Sequence, residues 1–178
     1  MIAIIDYGAG NIFSVKNALD YLGVENKLTA DKNEICAADE IILPGVGAFP
    51  WAMKMLRDSG LVDTIREEAR KKPFLGICLG MQLIFDKGYE FEETDGLRLI
   101  GGKVEKIDRK DMIIPHMGWN ELEINRDCPI LKSLPEHPYV YFVHSYAAVC
   151  DDANVSAYCD YGGKITALVH DGAYVYGA

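Results

Sequence analysis

The period of the apolar positions changes partway along this chain. Ile2–Asp6 is a short β-branched run, the pattern of a buried strand. Gly8 and Gly10 mark a turn, after which Ile12, Val15, Leu19 and Leu22 recur at helical spacing until Gly23. Val24–Leu28 and Glu40–Leu43 read as further strands, the latter ended by Pro44-Gly45-Val46-Gly47. Residues 51–71 read as helical with a break at Ser59-Gly60, Phe74–Ile77 as a fourth strand, and residues 79–86 as a helix. This alternation predicts an α/β fold whose central parallel sheet is flanked by helices. Later, Leu99–Ile107, Gly118–Ile124, Tyr139–His144, Val155–Tyr161, Ile165–His170 and Tyr174–Gly177 are strand-like, with few helical patterns between them. They are expected as antiparallel additions on the same sheet, so residues 1–178 read as one domain without repeats or linkers.

The bulk numbers agree with one globular domain: 178 residues, 49% hydrophobic and 25% charged. A net charge of −9 argues against a nucleic-acid partner. The basic cluster Arg70-Lys71-Lys72 closes a helix and reads as favourable charge at its C-terminus. Met1-Ile2-Ala3-Ile4-Ile5 is too short for a signal sequence, and no apolar run reaches membrane-spanning length. Five cysteines, an odd number without small-domain spacing, read as reduced thiols of a cytoplasmic protein. None has zinc-ligand spacing, so no metal is expected.

The strongest chemical signal is Gly76-Ile77-Cys78-Leu79-Gly80 at a strand-to-helix junction. Gly-x-Cys-x-Gly in that context is the thiol form of a nucleophile elbow. The turn is tight, so the residues two places away need almost no side chain. The following helix brings a positive dipole end and free N–H groups beside the sulfur, which favours the thiolate. Acyl chemistry at Cys78 also needs an oxyanion hole. The N–H of Leu79 is the first donor by elbow geometry. The glycine-rich turn after the third strand offers a second, through the Gly45–Val46 peptide and the N–H of Val46. None of the four histidines stands out as the base: His137 lies in a loop, His170 precedes a hairpin turn, His144 ends a strand, and His116 follows a proline. Asp6-Tyr7-Gly8-Ala9-Gly10 also suggests a dinucleotide-binding turn, but Phe13 stands where its third glycine belongs.

Gly76-Ile77-Cys78-Leu79-Gly80-Met81-Gln82 resembles the nucleophile motif of the class I, triad-type glutamine amidotransferases. Asp6–Asn11, Pro44–Phe49, Pro115–Asn120 and Tyr141–Tyr146 narrow the resemblance to the glutaminase subunits of imidazole glycerol phosphate synthases, in consistent order along the chain. The resemblance implies a flavodoxin-like fold, a mixed and largely parallel sheet, and glutamine hydrolysis through a Cys78 thioester without a cofactor. It implies that Gly47, Gln82, Glu90, Ser145 and Tyr146 hold the substrate. It further implies that ammonia passes to a (β/α)8-barrel cyclase subunit, met near Asn11, Ser14, Trp119 and Tyr141. Such subunits carry their triad His and Glu just after a strand matching Tyr174–Ala178. The expectation is therefore a chain without those two groups or the closing helix, inactive alone or serving as a non-catalytic binding subunit.

Overall fold

A computed structural model describes residues Met1–Ala178. β1 (Ile2–Ile5) leads to α1 (Ile12–Tyr21), β2 (Asn26–Thr29), α2 (Lys32–Ala37) and β3 (Glu40–Gly45). α3 (Phe49–Asp58), α4 (Val62–Glu68), β4 (Phe74–Cys78) and α5 (Leu79–Leu83) complete the first half. The second half holds β5 (Lys87–Gly88), β6 (Thr94–Asp95), β7 (Gly102–Lys106), β8 (His116–Glu121) and β9 (Glu123–Ile124). It ends with β10 (Tyr139–His144), β11 (Tyr146–Cys150), β12 (Val155–Asp160), β13 (Lys164–His170) and β14 (Val175–Gly177).

The central sheet has the order β2-β1-β3-β4-β14-β13-β12-β9. It is parallel from β2 to β14 and antiparallel from β14 to β9. One face packs Ile5, Leu43 and Phe74 against Met53, Leu56, Ile65 and Phe85 from the helical side. A smaller core around Ile107, Leu122, Phe142 and Leu168 lies beneath the later strands.

The structure corrects the expectation that all later strands join this sheet. Only β9, β12, β13 and β14 do so, and β14 runs parallel to β4 instead of joining as an antiparallel addition. β11, β7, β5 and β6 form a separate four-stranded sheet, and β8 pairs with β10 as a two-stranded ribbon. Strand pattern reports alternation along a segment and not which edge it joins. β11 and α2 were not foreseen. The signal for α2 was its cap: the Asp31 carboxylate accepts from the N–H groups of Asn33 and Glu34. The basic cluster also does more than complement its own helix. Lys71 and Lys72 each meet the buried Glu68 carboxylate at 2.8 Å. Lys72 also donates to the Cys36 and Ala38 carbonyls, both at 2.7 Å, closing the end of α2. No helix is long and apolar enough to cross a membrane.

Candidate active site

Cys78 joins β4 to α5 with φ 56 and ψ −114, a conformation that side chains avoid. Such a residue stores ~1–3 kcal/mol and persists only where its surroundings over-determine it. Here they do. The Cys78 N–H donates to the Ala178 carbonyl at 2.7 Å, and the Ala178 N–H to the Gly76 carbonyl at 3.0 Å. β14 is thereby paired alongside β4 up to the turn. A Cβ on Gly80 would lie 1.9 Å from the Leu43 carbonyl oxygen, and one on Gly76 2.5 Å from the Gly80 carbonyl oxygen. Gly45 belongs to the same interlock, since a Cβ there would lie 2.7 Å from the Gly80 nitrogen. The structure requires Gly45 for close approach, and the left-handed residue of that loop is Gly47, at φ +97.

A cleft of about 360 Å³ opens beside the sulfur. Its wall gathers Val46, Gly47, Cys78, Leu79, Gln82 and Glu90 with Ser145 and Tyr146 from the β10–β11 junction. Residues from four separated stretches of chain thus meet at one place. Leu79 is the first residue of α5, so its N–H has no acceptor within the helix. The Val46 N–H has no backbone acceptor either. Gln82 Nε2 donates to the Tyr146 carbonyl at 3.2 Å. Glu90, which by composition alone would be a solvated acidic turn, accepts from the Phe49 N–H at 2.8 Å. It supplies the helix cap that Ala48 cannot.

The four histidines divide clearly. His137 is exposed and pairs with Glu121. His170 stacks on Tyr176, which is in register with Leu75, three residues before Cys78. His144 alone lines the cleft, and both its nitrogens are engaged, Nδ1 with the Tyr146 carbonyl and Nε2 with buried His116. Sequence reasoning gave no separate weight to His116 or to Tyr7, because nothing in the linear pattern places either beside the elbow. Tyr7 is buried with its phenol pushed up to about 12, first by burial and then by the neighbouring Cys78.

Trp119 and Tyr141 are register partners on the ribbon, with rings edge-to-face at 5.6 Å. They are 69% and 52% exposed, so Trp119 is not a core residue. Asn11 and Ser14 are exposed at the start of α1, where the Asn11 side chain accepts from the Ser14 N–H. Phe13, Met117, Tyr139 and Val143 are exposed apolar residues beyond those foreseen. A second, mostly apolar cavity of about 250 Å³ has both Cys78 and Tyr141 in its wall.

Residues 3–178 match the family profile of glutamine amidotransferase class-I. The chain is 49% identical to imidazole glycerol phosphate synthase subunit HisH of Bacillus cereus, covering 100% of this chain and 85% of that protein. It is 47% identical to the HisH subunit of Listeria monocytogenes, covering 100% and 86%. Among solved structures, a glutamine amidotransferase superimposes with a TM-score of 0.76 at 20% identity, covering 100% of this chain and 88% of the other. PurLQS from Thermotoga maritima superimposes at 0.72 and 20% identity, covering 99% and 84%. At that identity these two matches speak to the fold alone. Taken with the cysteine elbow, the family profile and the full-length relatives establish that the chain belongs to the class I glutamine amidotransferases, in the HisH branch.

Proposed function

We propose that this chain is the glutaminase subunit of an imidazole glycerol phosphate synthase, and that Cys78 is its nucleophile. The observation that carries the reading is the cleft, whose wall brings an exposed thiol on a strained elbow together with Val46 from the turn after β3 and Leu79 from the start of α5. The Cys78 sulfur attacks the side-chain amide carbon of glutamine. The N–H groups of Leu79 and Val46 hold the tetrahedral oxyanion, each such donor being worth ~3–4 kcal/mol. The C–N bond breaks, ammonia leaves with a proton from the acid–base partner, and water hydrolyses the thioester to glutamate. Gly47, Gln82, Glu90 and the backbone of Ser145 and Tyr146 hold the amino-acid end. His144 is the one histidine in the cleft wall, and both its ring nitrogens are already engaged, which makes it a poor acid–base partner for the sulfur.

The ammonia goes to a (β/α)8-barrel cyclase, which docks at the face bearing Asn11, Ser14, Trp119 and Tyr141. Exposed aromatics on a ribbon whose other end borders the cleft support this assignment. The test is covalent capture by a diazo-ketone analogue of glutamine, mapped by peptide mass spectrometry. The expected result is modification at Cys78 that free glutamine suppresses. Equal modification at Cys150 or Cys159 counts against the site.

A further inference from the structure

His116 and His144 face each other across the ribbon as register partners. His116 Nδ1 lies 3.0 Å from His144 Nε2, and His116 Nε2 lies 2.8 Å from Asn120 Oδ1. The Asn120 amide donates its Nδ2 proton to the Asp160 carbonyl at 3.1 Å. At the other end, His144 Nδ1 lies 2.9 Å from the Tyr146 carbonyl, the same oxygen that accepts from Gln82. An unbroken chain of contacts therefore runs from Asp160, through two imidazoles, to the backbone of the cleft.

This chain has a definite proton requirement. The Tyr146 carbonyl and Asn120 Oδ1 are both acceptors, so each needs an N–H from the imidazole facing it. The contact between the two rings needs a third proton. Two neutral histidines carry only two. Turning the Asn120 amide over does not help, because its oxygen would then face the Asp160 carbonyl. A neutral pair thus leaves one acceptor facing another, whereas a pair sharing three protons satisfies every contact. The surroundings suit a cation on His116. Its ring lies between Tyr161 at 3.8 Å and Phe142 at 4.8 Å, both stacked, and aromatic faces attract positive charge. The titratable groups nearby are the Tyr161 phenol, which donates to the Ile113 carbonyl, and Cys78 and Glu90, which share the cleft wall with His144. No carboxylate, lysine or arginine pairs with either ring. Burial holds His144 below the ordinary histidine range, and neighbouring His116 adds to this against the Tyr146 carbonyl.

We propose that His116 is a positioning residue: acting through His144, it fixes the Ser145–Tyr146 turn for the amino-acid end of glutamine, and fixes it fully when the pair shares three protons. This rests on the reading of that turn as substrate-binding. The experiment uses the full chain with 15N-labelled histidine, observed by two-bond proton–nitrogen correlation between about pH 5.5 and 8.5. Glutamine binding is measured in parallel by calorimetry. The expected result is three protonated nitrogens in the pair at the acid end and two at the alkaline end. Glutamine affinity should fall about fivefold over the same interval, the worth of one hydrogen bond. Asn120→Leu, at a half-exposed position, removes the outer acceptor. It should leave two protons throughout and make binding independent of pH. His116→Asn keeps a donor near the Nδ1 position and should preserve binding across the range. Two protons at every pH, or an Asn120→Leu protein with the parent's pH dependence, overturns the proposal. Three protons without glutamine binding at any pH overturns it differently, by removing the substrate reading on which it rests.

Discussion

The buried Tyr7 hydroxyl donates to the Pro44 carbonyl across 3.1 Å, tying the turn after β1 to the last residues of β3. The next two residues, Gly45 and Val46, form the peptide proposed to complete the oxyanion hole. Tyr7→Phe leaves that carbonyl without its partner, which should cost about 1 kcal/mol of stability. The same residue gives an alkaline signature. An unfolded tyrosine ionises near about 10, whereas Tyr7 is pushed up to about 12. The unfolded chain therefore loses its proton first, and stability contributed by the neutral phenol disappears as pH rises from about 10 to 12. Burial pushes the Cys150 thiol to about 11 and Cys159 to about 12, acting in the same direction. Urea midpoints should fall above about pH 9, and Tyr7→Phe should lose part of that slope. A midpoint flat to pH 12, or an unchanged slope in the variant, contradicts the burial argument.

Gly80→Ala and Gly47→Ala separate two reasons for glycine. At Gly80 the added methyl meets the Leu43 carbonyl, so backbone must move and the cost should reach ~3 kcal/mol or more. At Gly47 there is open space but a left-handed backbone, so the cost should be ~1–2 kcal/mol. Equal destabilisation in denaturant titrations would refute the interlock.

Polypeptide consisting of these 178 residues should hydrolyse glutamine poorly even with the cyclase present. The motivation is the engagement of both nitrogens of His144 and the distance in register of His170 from the elbow. Loss of a triad partner removes about 10⁴-fold or more of turnover. Coupled detection of glutamate, with intact mass verified, is the measurement. Turnover of about 1 s⁻¹ or faster, ordinary for an enzyme, would show that the acid–base group lies within the chain.

Trp119→Ala should leave folding intact, since the side chain is mostly exposed. Such surface changes usually stay within ~0.5 kcal/mol. Cyclase affinity should fall about 30-fold, equivalent to ~2 kcal/mol at an interface hot spot. Circular dichroism and a binding titration read the two effects. Unchanged affinity in a folded variant removes Trp119 from the docking face.

Sequence alone was enough for the four parallel strands β1 to β4, because buried strands and amphipathic helices write their periods into neighbouring residues. It was also enough to locate the elbow, since Gly76, Cys78 and Gly80 lie within five positions, although Gly80 owes its tightest contact to Leu43 of β3. The helix α2 carries its local signal in Asp31, whose carboxylate caps it. The partition of the later strands into three sheets was not legible, because pairing depends on which edge remains free after the first strands assemble. Nor were the roles of Gly45, Tyr7 and His116. Gly45 is a glycine because Gly80 lies against it, Tyr7 is held by a carbonyl 37 residues away, and His116 finds its partner 28 residues on. Local pattern encodes which face of a segment is buried. Only the packed fold decides which atoms meet there, and the chemistry of the cleft consists of those meetings.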